Sequence, residues 1–150
     1  MRLGSFILLG FCLLLPAAAA ISPPQTEFAG YLVAPVRVHL LVTKGELNLT
    51  TTLEAKDIKR IFGKVNRIWG HAGIHLPVEK LITEPADNPN VYRQNIRSRQ
   101  LRWLLVLRPK ASRAKNRFHL YYIKRFAANG VYLAGDGMFV KDLARDRKST

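Results

Sequence analysis

The chain is poor in acid and almost free of cysteine. Its 150 residues hold 24 Lys and Arg against 10 Asp and Glu, with one cysteine and four histidines. Cys12 lies within the first twenty residues. Everything after it lacks disulfides, a thiolate nucleophile and thiolate metal ligands. The carboxylates are few and scattered, which leaves a paired acid–base mechanism little support. No glycine-rich phosphate loop, zinc-finger spacing or RNA-binding signature occurs. The serines at 98, 112 and 149 sit in basic or polar surroundings without an evident base. The apolar run from Phe6 to Leu15 is too short, and wrongly flanked, to serve as a membrane span.

That run has another reading. Residues 1–20 show a basic start at Arg2, the apolar stretch, and a small-residue end at Ala18 and Ala20. This is the pattern of a cleavable signal peptide cut after Ala20, and it implies a secreted or periplasmic protein. Phe11 stands before Cys12, where a lipoprotein needs a small residue. The remaining 130 residues (150 less 20) are enough for one domain with its own core. They contain no transmembrane candidate, and the sequence is silent on oligomeric state.

The formal net charge is +14, and it is uneven. Between Asn88 and Gly135 there are eleven Lys or Arg and no Asp or Glu. Such a field attracts polyanions, nucleic acid or anionic polysaccharide. The candidate contacts are Arg93, Arg97, Arg99, Arg102, Arg108, Lys110, Arg113, Lys115 and Arg117. The same charges also read as a solvated face that keeps an exported protein in solution.

Residues 21–34, with Pro23 and Pro24, read as a flexible lead-in. VRVHLLV (36–42) alternates, so Val36, Val38, Leu40 and Val42 form one core face opposite Arg37, His39 and Leu41. A polar loop with a turn at Gly45 follows. Thr51 and Glu54 have capping-box spacing. Ile58, Ile61, Phe62, Val65, Ile68 and Trp69 then make one helical stripe, with Gly70 and Gly73 as left-handed exits. Residues 74–82 alternate again, and Pro77 marks them as an edge strand. Residues 83–90 read as loop, 91–107 as a second helix, 118–126 as a third strand, and 130–142 as a pair about Gly135-Asp136-Gly137. Residues 143–150 form a polar tail expected to fray.

This order predicts an α/β fold bordering on α+β. Its first two strands run parallel, joined by one long crossover helix, with a second helix in an insert.

The histidines raise a sharper question. His71 and His75 are four apart, the spacing at which two helix histidines hold zinc. The stripe ends at Trp69, however, and Gly73 intervenes. Ala72 stands where a zinc peptidase places a Glu. HAGIH therefore reads as a helix end and a strand start. His39 and His119 fall off the apolar phase of their strands and carry no evident role.

VRVHLLV, KVNRIWGHAGIHLPVEKL, FHLYYIKRF and GVYLAGDGMFVKD together resemble the front half of a metzincin-type secreted zinc metallopeptidase domain, over about residues 35–142. The framework residues that carry the likeness are Asn66, Trp69, Gly73 and Ile74. The resemblance implies a twisted, mostly parallel sheet with one antiparallel edge strand, which binds the backbone of a peptide or protein substrate, here at Val131, Tyr132 and Leu133. It also implies zinc held by a later HExxHxxGxxH helix, which this sequence does not contain. The chain therefore offers no catalytic residue, no metal ligand and no cofactor of its own. It is expected to be inactive and, with one sheet face uncovered, marginally stable. The alternatives are a small exported basic protein that binds a polyanion through residues 88–135, and a decoy that presents its edge strand.

Overall fold

The computed structural model describes residues 30–114, 117–133 and 137–142. The signal segment, its cleavage point at Ala20, the lead-in before residue 30, Lys115, Gly135, Asp136 and the tail lie outside the described residues.

Strand β1 (Leu32–Val33) pairs in parallel with a second two-residue piece further along the chain. Strand β2 (Val36–Val42) follows. Both of its faces are covered, since Val38 and Leu40 are buried on one side and His39 and Leu41 on the other. The single core face read from VRVHLLV is therefore corrected. β2 is a central strand, and such strands are apolar throughout.

Helix α1 (Ala55–Gly70) is the crossover. Its capping box is formed by Glu54 and Asp57, not by Thr51 and Glu54. The Glu54 amide donates to Asp57 Oδ2 at 3.0 Å. The Asp57 carboxyl is held below its usual range, first by its backbone hydrogen bond with Glu54. Thr51 works elsewhere, because its hydroxyl donates to Asp142 at 2.7 Å and anchors the far end of the sheet. Ile58 and Phe62 are buried, but the stripe fades outward, leaving Ile68 69% and Trp69 49% exposed. Gly70 is still helical; the left-handed exit is Gly73, with φ +69°.

The strand expected over 74–82 is two strands. β3 (Ile74–His75) pairs with β1, and β4 (Val78–Pro85) pairs with β2. Pro77 separates them, having no N–H to donate, while its carbonyl accepts from Val36 at 2.9 Å. Next to it, the Asn66 side chain accepts the Leu76 amide at 2.8 Å and donates to the Leu76 carbonyl at 3.1 Å. One side chain thus satisfies both backbone groups that the break leaves over. β4 also runs on through residues first read as loop.

The insert holds α2 (Asn90–Asn95) and a 3-10 helix (Leu101–Leu107), not one helix over 91–107. Leu101, Leu104 and Leu107 recur every three residues, which is the 3-10 period. β5 (Phe118–Ile123), β6 (Gly130–Leu133) and β7 (Gly137–Lys141) complete the fold. The larger sheet has the order β4-β2-β5-β7-β6 and is parallel except for the antiparallel edge strand β6. With three helices around it, this is the α/β arrangement the patterning predicts. Gly137 is required where β7 begins. Its φ is +116°, and a Cβ there would run into the His119 carbonyl.

Two cores flank the sheet. On one face, Val36, Val38, Leu40, Leu120 and Tyr122 meet Ile58 and Phe62 of α1. On the other, Leu41, Tyr121, Ile123 and Phe139 meet Tyr92, Leu104 and Leu107 of the insert.

Candidate functional site

Strand β6 is the starting point. The Lys141 amide donates to the Asn129 carbonyl at 2.9 Å. Antiparallel pairing alternates, so with Val131 opposite Phe139 and Leu133 opposite Gly137, residues 131 and 133 also bond inward. The backbone groups of Gly130 and Tyr132 then point away from the sheet. Of the three residues assigned to a substrate edge, Tyr132 alone turns its backbone outward; Val131 and Leu133 pack their side chains against the insert core. Tyr132 is 59% exposed, and its ring stacks on Phe118 at 6.4 Å.

Tyr132 and Phe118 border the less covered face of the sheet. An apolar groove of about 530 Å³ runs there between α1 and strands β5 and β7. Its floor includes Leu120, Tyr122, Met138 and Val140, and Trp69 forms part of its wall. α1 covers the β2 side of this face and leaves the groove open beside it. Burial, reinforced by Asp142, pushes the Tyr122 hydroxyl up to about 12.

The other face carries a polar network that the sequence reading missed. His39 is fully buried, and His119 nearly so. His39 Nδ1 lies 2.6 Å from Glu84 Oε1, and its Nε2 lies 2.8 Å from His119 Nδ1. The Ser112 hydroxyl donates to the same Glu84 oxygen at 2.8 Å. The Ala114 amide donates to His119 Nε2 at 3.3 Å. His119 Nε2 also lies 3.1 Å from the Ala114 carbonyl. With His39 neutral, the roles along the chain follow. Glu84 accepts from Nδ1–H of a neutral His39, and His39 Nε2 accepts from Nδ1–H of His119. Tyr121 stacks on His39 at 4.5 Å. Burial lowers the pKa of His39, and the hydrogen bond to Glu84 opposes that only in part. Ser112 contacts the carboxylate rather than an imidazole, so this is not the order of a nucleophilic triad. It joins the end of the insert to strands β2, β4 and β5. The available signal was period-two spacing on both faces of β2 and β5, with a histidine at the middle of β2 and one near the start of β5.

His71 is the C-cap of α1 and His75 lies in β3. Among the described residues, no group of three His, Cys, Asp or Glu side chains is placed to hold a metal. No helix among the described residues is long and apolar enough to cross a membrane.

The cationic candidates among the described residues sit in different local settings. Arg93 pairs with Glu46 at 2.9 Å, and Arg117 with Glu79 at 3.3 Å. Arg37 also reaches Glu79 at 3.1 Å and is the main cause of that carboxyl's lowered pKa. Arg108 is 7% exposed, with Nε donating to the Leu105 carbonyl at 2.8 Å. Arg97, Arg99, Arg102, Lys110 and Arg113 are exposed.

Compared with protein-family models, curated proteins and solved structures, the chain matches none.

Proposed function

We propose that this chain is the sheet-bearing half of a secreted zinc endopeptidase-like domain. Its part is to present a peptide-binding edge, and the metal chemistry belongs to a segment it does not contain. The observation that carries this reading is the antiparallel edge strand β6 beside an open apolar groove on the same sheet. An extended peptide can add to Gly130 and Tyr132 by backbone hydrogen bonds, with Tyr132 and Phe118 as a side-chain platform. The groove is apolar, and on this reading a further helix packs there beside α1. On this reading the protein is exported, and the chain by itself hydrolyses no peptide bond.

Reading the coding frame past codon 150 tests the proposal. A following HExxHxxGxxH segment is the expected result, and a frame without one overturns it. A second test uses the purified chain. No chelator-sensitive cleavage of an unfolded protein substrate is expected with zinc added, and cleavage abolished by a chelator would reject the assignment of chemistry to another segment.

A further inference from the structure

A second cleft, of about 1070 Å³, lies among the segments that follow α2 and β5. Three cations line it: Arg97 after α2, Arg125 after β5, and Lys141 at the end of β7. Asn48 and Asn129 add side-chain amides to its wall, and no Asp or Glu lines it among the described residues. The nearest acid in sequence, Asp142 beside Lys141, accepts from the Thr51 hydroxyl at 2.7 Å and the Thr52 amide at 2.6 Å, and Glu46 is paired with Arg93 at 2.9 Å.

The walls are fixed from below. The buried Tyr92 hydroxyl lies 2.9 Å from the Asn48 carbonyl and 2.8 Å from the Arg125 carbonyl. It therefore holds two loops distant in sequence at a set separation. The Lys141 amide bonds the Asn129 carbonyl at 2.9 Å and closes the third side. Local sequence patterning brings none of these residues together; the topology does.

We infer that this cleft binds an anionic polysaccharide, a sulfated or uronate-bearing chain whose acidic groups lie on Arg97, Arg125 and Lys141. Arginine forks match sulfate and carboxylate oxygens in pairs, and lysine adds a point charge. The two asparagine amides suit sugar hydroxyls. Nucleic acid is the lesser fit, because single strands are held by exposed aromatic rings on which bases stack. The one aromatic lining residue, Phe126, is 3% exposed and offers no such face. The inference does not depend on the peptidase reading, since it concerns other residues at another place.

The test is binding of a defined heparin hexasaccharide to the full chain by calorimetry across a salt series. A single-stranded DNA of equal charge is titrated in parallel. The variant Arg97→Gln/Arg125→Gln/Lys141→Gln should weaken hexasaccharide binding about tenfold or more and flatten its salt dependence. The control Arg99→Gln/Arg102→Gln/Lys110→Gln removes as much charge outside the cleft and should change affinity by less than about twofold. Should the cleft variant fail to fold, the exposed single change Arg97→Gln gives the same comparison against Arg99→Gln. The inference is overturned by absence of binding, by equal losses in the cleft and control variants, or by DNA binding as tightly through the same three residues.

Discussion

The two faces of the larger sheet are built differently. The α1 face follows from local pattern: a capped amphipathic helix lies on alternating strand residues. Yet it is the incomplete face, with a groove beside the helix and Trp69, Phe118 and Tyr132 exposed along it. The insert face has a six-residue helix, a 3-10 helix and long connections. It nevertheless buries Leu41, Tyr121, Ile123 and Phe139 almost completely. Polar bonds join it further, through Tyr92 to two carbonyls and through the chain Ser112–Glu84–His39–His119. Regular local structure and complete burial are separate properties. Here the less regular half is the more completely covered one.

The largest expected effect tests that division directly. Phe139 is 1% exposed on the insert face and stacks on Tyr121 at 5.0 Å. Phe139→Ala should cost about 3 to 5 kcal/mol in denaturant unfolding, by lost transfer and a residual cavity. Val140, its neighbour, faces the groove. Val140→Ala should cost only about 1 to 2 kcal/mol, because fewer methyl contacts are lost there. Equal losses at the two positions would remove the distinction between the faces.

Next in size is the joint between α1 and the strands. Asn66 bonds both backbone groups of Leu76. Asn66→Ala leaves a donor and an acceptor unmet beside Pro77 and should cost about 1 to 3 kcal/mol. Unfolding of Asn66→Asp in parallel sharpens the point. It keeps the acceptor for the Leu76 amide and sets a carboxylate against the Leu76 carbonyl, so it should rescue little.

Much of this architecture could be read in the chain. The crossover helix and the central strands were visible as period and turn residues. Four things were not. The capping box slipped from Thr51 to Glu54 because Thr51 is held by Asp142, a partner 91 residues away. The insert helix broke because period-three leucines compete with a 3.6-residue reading. His39 and His119 passed for bystanders because alternation marks polar positions as wet. Only the pairing of β2 with β5, which sets His39 beside Tyr121 and Arg37 beside His119, brings them together. The cationic cleft was hidden for the same reason: Arg97 was on the candidate list, but Arg125 and Lys141 come from other elements.

The histidine network gives a graded effect. Burial holds His39 below its ordinary value of 6.5 in the folded protein. The unfolded chain therefore binds more protons in the window just below pH 6.5. Stability falls as pH drops through that window, and the loss is complete once pH is below the folded value. Urea midpoints measured from pH 8 down to 5 should show this decline. His39→Gln should be less stable at neutral pH and show a flatter profile below 6.5. An unchanged slope would mean that another group takes up the proton.

The smallest effect on stability should come from the open face, and it should be the most informative about function. Trp69 is 49% exposed on the wall of the groove. A half-exposed side chain at a helix end supports little of the fold, so Trp69→Glu should change unfolding free energy by no more than about 0.5 kcal/mol. The charge would nonetheless sit against an apolar surface that any covering helix, second copy or dye must desolvate. Binding of an apolar fluorescent dye should therefore fall in Trp69→Glu while the melt stays in place. A matching substitution on the wet side of α1, Lys64→Glu, should leave dye binding unchanged. If both variants bind dye like the parent, the exposed apolar surface lies elsewhere, and the groove loses its standing as the place where a further segment docks.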